Sequence, residues 1–200
     1  MKKLYIGLLI CFSTVVVEAQ QYSSKVWHFG EILTKDSSIQ RGKLYYSFDE
    51  EYVHLQSPVK QKVFHPKDII EFRFTDSLTN RYRIVRTMHY QSSNGFDMPG
   101  FFEILLDSNV FLLKREYISS YVTTDGISGF ATHREVEEFD YFYKDNEKLK
   151  FLNTRPKKIY IIFGTYAGQM KVYIKQNRLH TYSEKDLIQI MKYYNELLSI

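Results

Sequence analysis

The chain has 200 residues, a formal charge of +4 and a single cysteine. So small an imbalance gives no electrostatic case for nucleic acid, and one cysteine cannot staple a fold with internal disulfides. Aromatic residues are abundant, with 17 Tyr and 15 Phe against one Trp. That composition suits half-buried pleated strands, and an aromatic platform for a glycan or other extended ligand is the sharper alternative.

Residues 1–19 read as a signal peptide. Lys2 and Lys3 form a basic start, Leu4 to Val17 is an almost uncharged apolar run, and Val17-Glu18-Ala19 presents small residues at the positions a cleavage needs. The run falls short of the ~20 apolar residues a spanning helix requires. A retained membrane anchor is the weaker alternative. A lipoprotein signal at Cys11 is weaker still, because bulky Ile10 precedes it. Cleavage after Ala19 would leave a mature chain beginning at Gln20, without a thiol, in a periplasmic or extracellular space.

The mature chain reads first as strands. Lys25 to Thr34, Ile39 to Ser47, Tyr52 to Leu55, Lys62 to His65, Asp68 to Thr75 and Asn80 to Met88 are β-rich segments. Gly, Pro, Asp, Asn and Ser punctuate them, as at Lys35–Ser38, Asp49–Glu51 and Ser57-Pro58. Gly42 reads as a bulge or a point of close backbone approach. In the fifth segment Ile70, Phe72 and Phe74 alternate with Glu71 and Arg73. In the sixth, Arg81 and Arg83 alternate with Tyr82 and Ile84, so the arginines are expected on a wet outer face.

Gln91 to Gly100 is expected to be a long irregular loop. Phe101 to Leu106 and Val110 to Glu116 then form a hairpin over Asp107-Ser108-Asn109, with Asn109 suited to a left-handed position. Thr124 to Glu135 is expected to be a second long loop, followed by strands at Val136–Lys144 and Lys148–Leu152. At Thr154 the composition changes. Lys157 to Phe163 carries β-branched residues that argue for a strand, but Gly164-Thr165 looks like a helix stop and a fresh cap, and helix is preferred. Met170, Tyr173 and Ile174 share one face of the next helix.

The last segment, Ser183 to Ile200, has the clearest helical period. Leu187, Ile190, Met191, Tyr194, Leu197 and Leu198 fall on one side, and Ser183 is a natural N-cap with Glu184 and Asp186 in the first turn. Leu187, Met191, Tyr194 and Leu198 are expected to pack on the sheet, with Lys192 and Asn195 near solvent. The expected fold is α+β. It comprises a largely antiparallel β-sheet (roll, sandwich or partial barrel) over 20–154, then two or three C-terminal helices over 155–200, as one globular unit.

Catalytic signals are sparse. Gly126-Ile127-Ser128-Gly129 is one residue short of a nucleophile elbow, and no phosphate-cradling glycine motif occurs. Six histidines are scattered without metal-ligand spacing, although His54 and His65 could meet across neighbouring strands. Glu135, Glu137, Glu138 and Asp140 lack the spacing of a calcium loop and read as a solvated strand edge. Arginines interleaved with Phe74 and Tyr82 imitate a nucleic-acid surface, but an outward strand face explains them more simply. No catalytic, cofactor-binding or metal residue is assigned.

Several segments resemble one another's counterparts in a known group. The turn at Asp36 before Ile39 with Gly42-Lys43-Leu44-Tyr45, His65-Pro66-Lys67-Asp68-Ile69 leading to Phe72, the Phe101–Leu113 hairpin, and Asp186-Leu187-Ile188 with Tyr193-Tyr194-Asn195 carry the likeness. Together they resemble an uncharacterised exported Bacteroidota protein family. The resemblance covers most of the mature chain. It implies a periplasmic or envelope β-rich protein with a helical C-terminal tail, and it transfers no catalytic residue. The expected function is non-enzymatic binding of a partner protein, glycan or lipid, by a protein that is not integral to the membrane once cleaved. Loops on a rigid sheet are the usual recognition sites, which singles out Phe96, Met98, Phe101, Phe130 and His133. The alternative is a hydrolase of envelope polymers with a carboxylate- or histidine-based site.

Overall fold

The computed structural model describes residues 23–92, 94–124, 129, 131–146 and 148–199. The signal peptide expected over 1–19 and the candidate Phe130 lie outside the described residues. After a short 3-10 turn at Ser23–Lys25 come ten strands: β1 Trp27–Thr34, β2 Ile39–Ser47, β3 Tyr52–Gln56, β4 Gln61–Phe64, β5 Ile69–Thr75, β6 Tyr82–Gln91, β7 Asp97–Leu106, β8 Val110–Thr124, β9 Ala131–Asp145 and β10 Lys148–Phe151. A 3-10 segment at Ile159–Tyr166 leads into α1, Ala167–Gln176, and the chain closes with α2, Glu184–Leu198. The fold is α+β, as the sequence pattern predicts.

All ten strands belong to one antiparallel sheet, in the order β10-β9-β8-β7-β6-β5-β1-β2-β3-β4. The link from Phe64 to Ile69 shows that this sheet is not flat. Flat, β4 and β5 would lie four strand spacings apart, roughly 19 Å. Five residues of extended chain reach about 17 Å at most, and this link is not extended: Asp68 N donates to His65 O (2.9 Å). The strands from β5 to β4 therefore curl round a core of Ile32, Leu44, Tyr46, Val53, Leu55, Phe64, Phe72, Phe74, Val85 and Phe101. Tyr46 of β2 meets Phe101 of β7 edge-on across this curl, with ring centres 5.7 Å apart.

Two glycines allow strands to close on one another. A Cβ at Gly42 would stand 2.4 Å from Gln56 O, and one at Gly30 would stand 2.2 Å from Arg73 O. Gly42 is thus a close-approach point rather than a bulge. Irregularities fall elsewhere, at Leu33/Thr34 against β5 and at Ile104/Leu106 against β8.

A second core lies between the other half of the sheet and the helices. It joins Val110, Leu112, Tyr141 and Leu152 to Ile159, Phe163, Met170, Ile174, Leu187, Ile190 and Met191. Segment 157–163 joins it as a helical element, and Gly164 (φ 51°, ψ −122°) breaks the helix before α1. Ser183 caps α2 by accepting from Asp186 N, and Asp186 Oδ2 accepts from His180 N at 2.9 Å. Truncation before Ser183 would therefore remove the buried Leu187, Ile190 and Met191 and uncover the core residues they pack with, among them Val110, Phe163 and Met170.

Several local expectations are corrected. Asn195 is buried, not solvent-facing, while Leu198 is exposed, because α2 turns its Met191–Asn195 edge toward β8. Asn109 does not take a left-handed backbone, since the hairpin irregularity sits on β7. The two expected long loops are in part strand. β6 continues to Gln91 and β7 begins at Asp97, while β8 and β9 run as a two-stranded arm to Thr124 and from Ala131. Cross-strand bonding extends these strands where turn residues suggested a break.

Candidate functional site

The described candidates Phe96, Met98, Phe101 and His133 do not form one site. Phe96 is exposed, at 72%, in the short turn before β7. Met98 lies in β7 and faces Tyr90 of β6. Phe101 is a core residue, 1% exposed, packed on Tyr46 and Phe72. His133 lies on the exposed outer part of β9, opposite Val122. Met98 and His133, expected in loops, lie in strands through ladder formation, and Phe101 lies in the strand its hairpin pattern implied.

The strand arginines hold the larger surprise. Arg83 is 5% exposed, and Tyr82 is 61% exposed, so the inward face of β6 carries Arg83 and Val85 rather than Tyr82 and Ile84. The cause is pairing: Arg83 lies opposite Phe74, and Val85 lies opposite both Phe72 and Glu103, all of them inward-facing. The guanidinium stacks over the Phe74 ring at 5.2 Å.

Around Arg83 lies a buried layer of charge between the two cores. Arg83 donates to Glu103 (2.7 Å) and to Glu116, and its second Nη stands 3.5 Å from Asp76. Lys114 Nζ contacts Glu103 at 3.0 Å, Glu116 at 3.1 Å and Glu184 at 3.1 Å. Arg81 completes the ring, donating to Glu184 at the start of α2 (2.9 Å). Burial alone would lower the pKa of Arg83 and of Lys114. Glu116 and Glu103 outweigh it and hold both pKa values above the ordinary range. Burial likewise raises Glu184, but Lys114 and Arg81 more than compensate and leave it lowered.

Glu137 differs from these paired acids. Its Oε1 is buried without a hydrogen-bond partner, and burial followed by the neighbouring Glu116 pushes its pKa up. Glu103 and Glu116 are occupied by cations, and neither they nor Glu137 line the clefts described below. The layer's evident work is to bind β6, β7, β8 and the start of α2 together. Near it, Asp76 accepts from Ser23 Oγ (2.7 Å) and Leu78 N (2.9 Å), which closes the β5–β6 turn. Buried His28 accepts from Ser77 N at Nδ1 (3.0 Å) and so presents Nε2–H to Ser23 O (2.9 Å).

The outer face of the curled half of the sheet is of another kind. Trp27, Tyr45 and His54 are cross-strand neighbours on β1, β2 and β3. Trp27 meets Tyr45 at 5.6 Å and His54 at 5.2 Å, Tyr45 meets Tyr52 at 6.5 Å, and Tyr52 meets His65 at 6.3 Å. His54 and His65 thus each serve a ring contact. One register step along, Phe29 stands 71% exposed beside Thr75, whose other neighbour is Tyr82. Polar groups alternate with these rings. Arg41 donates to Glu31 at 3.0 Å, Arg73 pairs with Glu31 and Glu71, and Lys43 approaches the Phe29 ring at 5.8 Å.

The surface also has shallow clefts. One of about 570 Å³ is lined by Phe139, Tyr141, Phe151, Leu152 and Tyr182, among others. Another of about 400 Å³ lies between Arg86–His89 and Phe111, Lys144 and Leu149. Among the described residues no group of three or more His, Cys, Asp or Glu is arranged to hold a metal ion. Glu135 and Glu137 point to one side of β9, and Glu138 and Asp140 to the other, so they do not converge. No helix of the described residues is long and apolar enough to cross a membrane. No protein-family model, curated protein or solved structure matches the chain.

Proposed function

We propose that this chain is an exported, non-enzymatic binding protein whose outer aromatic face docks a partner protein. The observation that carries the reading is the connected row of rings, His65–Tyr52–Tyr45–Trp27–His54, with Phe29 and Tyr82 open beside it. Trp, Tyr, Phe and Arg are the residues that concentrate binding energy in protein interfaces. Here they stand on a rigid ladder, so little ordering entropy opposes docking. The alternating Arg41, Lys43 and Arg73 supply the polar contacts that set register.

The basic start, the Leu4–Val17 run and the Val17-Glu18-Ala19 site support export with cleavage before Gln20. The resemblance to exported Bacteroidota proteins supports an envelope or periplasmic location. N-terminal sequencing of the fractionated protein tests this part, and intact Met1 in the cytoplasm would overturn it.

The docking reading is tested by a photo-reactive residue placed at position 29 in the native envelope, with position 172 on α1 as control. A protein crosslinked at 29 and not at 172, whose purified form binds the wild type but not a Phe29→Ala, Tyr82→Ala double variant, supports it. Both side chains are exposed, so circular dichroism of the double variant should be unchanged. Adducts of glycan or lipid in place of protein would overturn the protein-partner reading and keep the face as a site for those ligands.

A further inference from the structure

The other half of the sheet, from β6 to β10, has a bend of its own. Flat, β6 and β10 would lie four strand spacings apart, roughly 19 Å, yet β10 comes back against β6. The rings show toward which side the strands bend. Phe102 of β7 and Phe142 of β9 stand on either side of β8 but meet edge-on with centres 5.1 Å apart, and Phe142 meets Phe151 of β10 at 5.8 Å. Pairing sets Arg86 and Met88 of β6 on the same side as Phe102. It also sets Phe111, Lys144 and Leu149 in one row across β8, β9 and β10, on the same side as Phe142. This concave side is opposite the one that carries Arg83.

The cleft of about 400 Å³ lies on it. Met88, Phe111 and Leu149, each half-buried, give the cleft apolar walls, and no acid among the described residues lines it. Its cations differ in what they already hold. His89 is bound to Asp97 at 2.9 Å. Arg86 gives Nε and Nη2 to Glu71, each at 3.0 Å, and its Nη1 reaches Asp107 only at 3.9 Å, beyond hydrogen-bond length. Glu71 thus fixes the guanidinium and leaves one of its nitrogens to donate elsewhere. Lys144 is half-buried and forms no ion pair among the described residues. A neutral apolar ligand would cover this ammonium without compensating it, and a cationic one would oppose it. An anionic head with an apolar body answers both parts of the cleft.

We infer that the cleft between β6 and the β8–β9–β10 row binds a single-chain anionic amphiphile, a carboxylate with an aliphatic body. Lys144 Nζ and Arg86 Nη1 take the carboxylate, and Met88, Phe111 and Leu149 take the chain. The site is separate from the aromatic row and does not depend on what docks there.

The experiment titrates decanoate, octanoate, decanol and decylammonium, each below its micelle concentration, into the purified protein by calorimetry. Decanoate should bind more tightly than decanol or decylammonium, and more weakly as salt rises. Octanoate should bind more weakly by about fourfold per methylene removed. Lys144→Glu, with circular dichroism to verify the fold, should weaken decanoate at least about tenfold and remove its advantage over decylammonium. A decanoate analogue with a photo-reactive group on its chain, mapped by mass spectrometry, needs no variant and should label the segment 86–89 or residues 111, 144 or 149. Equal binding of decanoate and decylammonium, no binding of decanoate, or indifference to Lys144→Glu in a folded variant overturns the inference. So does labelling elsewhere, the aromatic row included.

Discussion

Asn195 of α2 bonds both backbone groups of Val110 at the start of β8. Its Oδ1 accepts from Val110 N at 2.7 Å, and its Nδ2 donates to Val110 O at 3.0 Å. One amide side chain thus behaves like a strand neighbour, satisfying a buried donor and acceptor that β7 leaves free near the hairpin irregularity.

Replacing Asn195 should therefore be costly for its size. Asn195→Ala leaves both Val110 groups unsatisfied and should destabilise the fold by about 2–4 kcal/mol. Asn195→Asp should also destabilise, because a carboxylate cannot donate to Val110 O. Urea unfolding of the three proteins, with an unchanged slope against denaturant, checks both outcomes.

The charge layer around Arg83 should respond unequally to single and paired changes. Arg83→Met leaves Lys114 alone to compensate Glu103 and Glu116 and should cost about 3–5 kcal/mol. Arg83→Met with Glu116→Leu removes one acid together with the cation, leaves Lys114 paired with Glu103 and Glu184, and should recover much of that loss. Thermal unfolding of the single and double variants measures the difference. If the single variant is as stable as the wild type, the layer does not hold the strands and helix together.

Two acids of the same layer should give opposite pH signatures. Glu184 has a pKa below the ordinary 4.5 despite burial, because Lys114 and Arg81 favour its charged form. Its stabilising contribution is therefore present above pH 4.5 and lost as pH falls through its lowered native value. Glu137 has a pKa above 4.5, from burial and then from Glu116, so its contribution favours the fold at low pH and is lost as pH rises through the raised native value. Glu137→Gln should accordingly be more stable than wild type at neutral pH, with the gain vanishing below pH 4.5. Glu184→Gln should be less stable at neutral pH, with the loss vanishing in acid. Stability measured against pH for the two variants separates these trends.

Gly42 gives a purely steric prediction. An added Cβ would meet the carbonyl oxygen of Gln56, a backbone atom that cannot step aside. Gly42→Ala should cost about 1–3 kcal/mol by forcing β2 from β3. Hydrogen exchange should localise the loss to those two strands.

The amino-acid sequence by itself determined the elements whose causes are local. The period of two marked the strands up to β6, and polar residues with proline and glycine marked their turns. Ser183 and the 3.6-residue spacing from Leu187 to Leu198 marked α2, and Gly164 marked the break before α1. Only the tertiary structure decided which face each strand turns inward. Arg83 and Tyr82 are both plausible outward residues until Glu103, Glu116 and Phe74 arrive from other strands to compensate the guanidinium. Asn195 is an ordinary polar helix residue until Val110 is placed beside it, 85 positions away in the chain. The aromatic face has the same origin, since Trp27, Tyr45 and His54 become a row only through the registers of β1, β2 and β3. Periodicity reports what neighbours along the chain can do together, whereas burial of charge and the building of a surface depend on partners that only folding supplies.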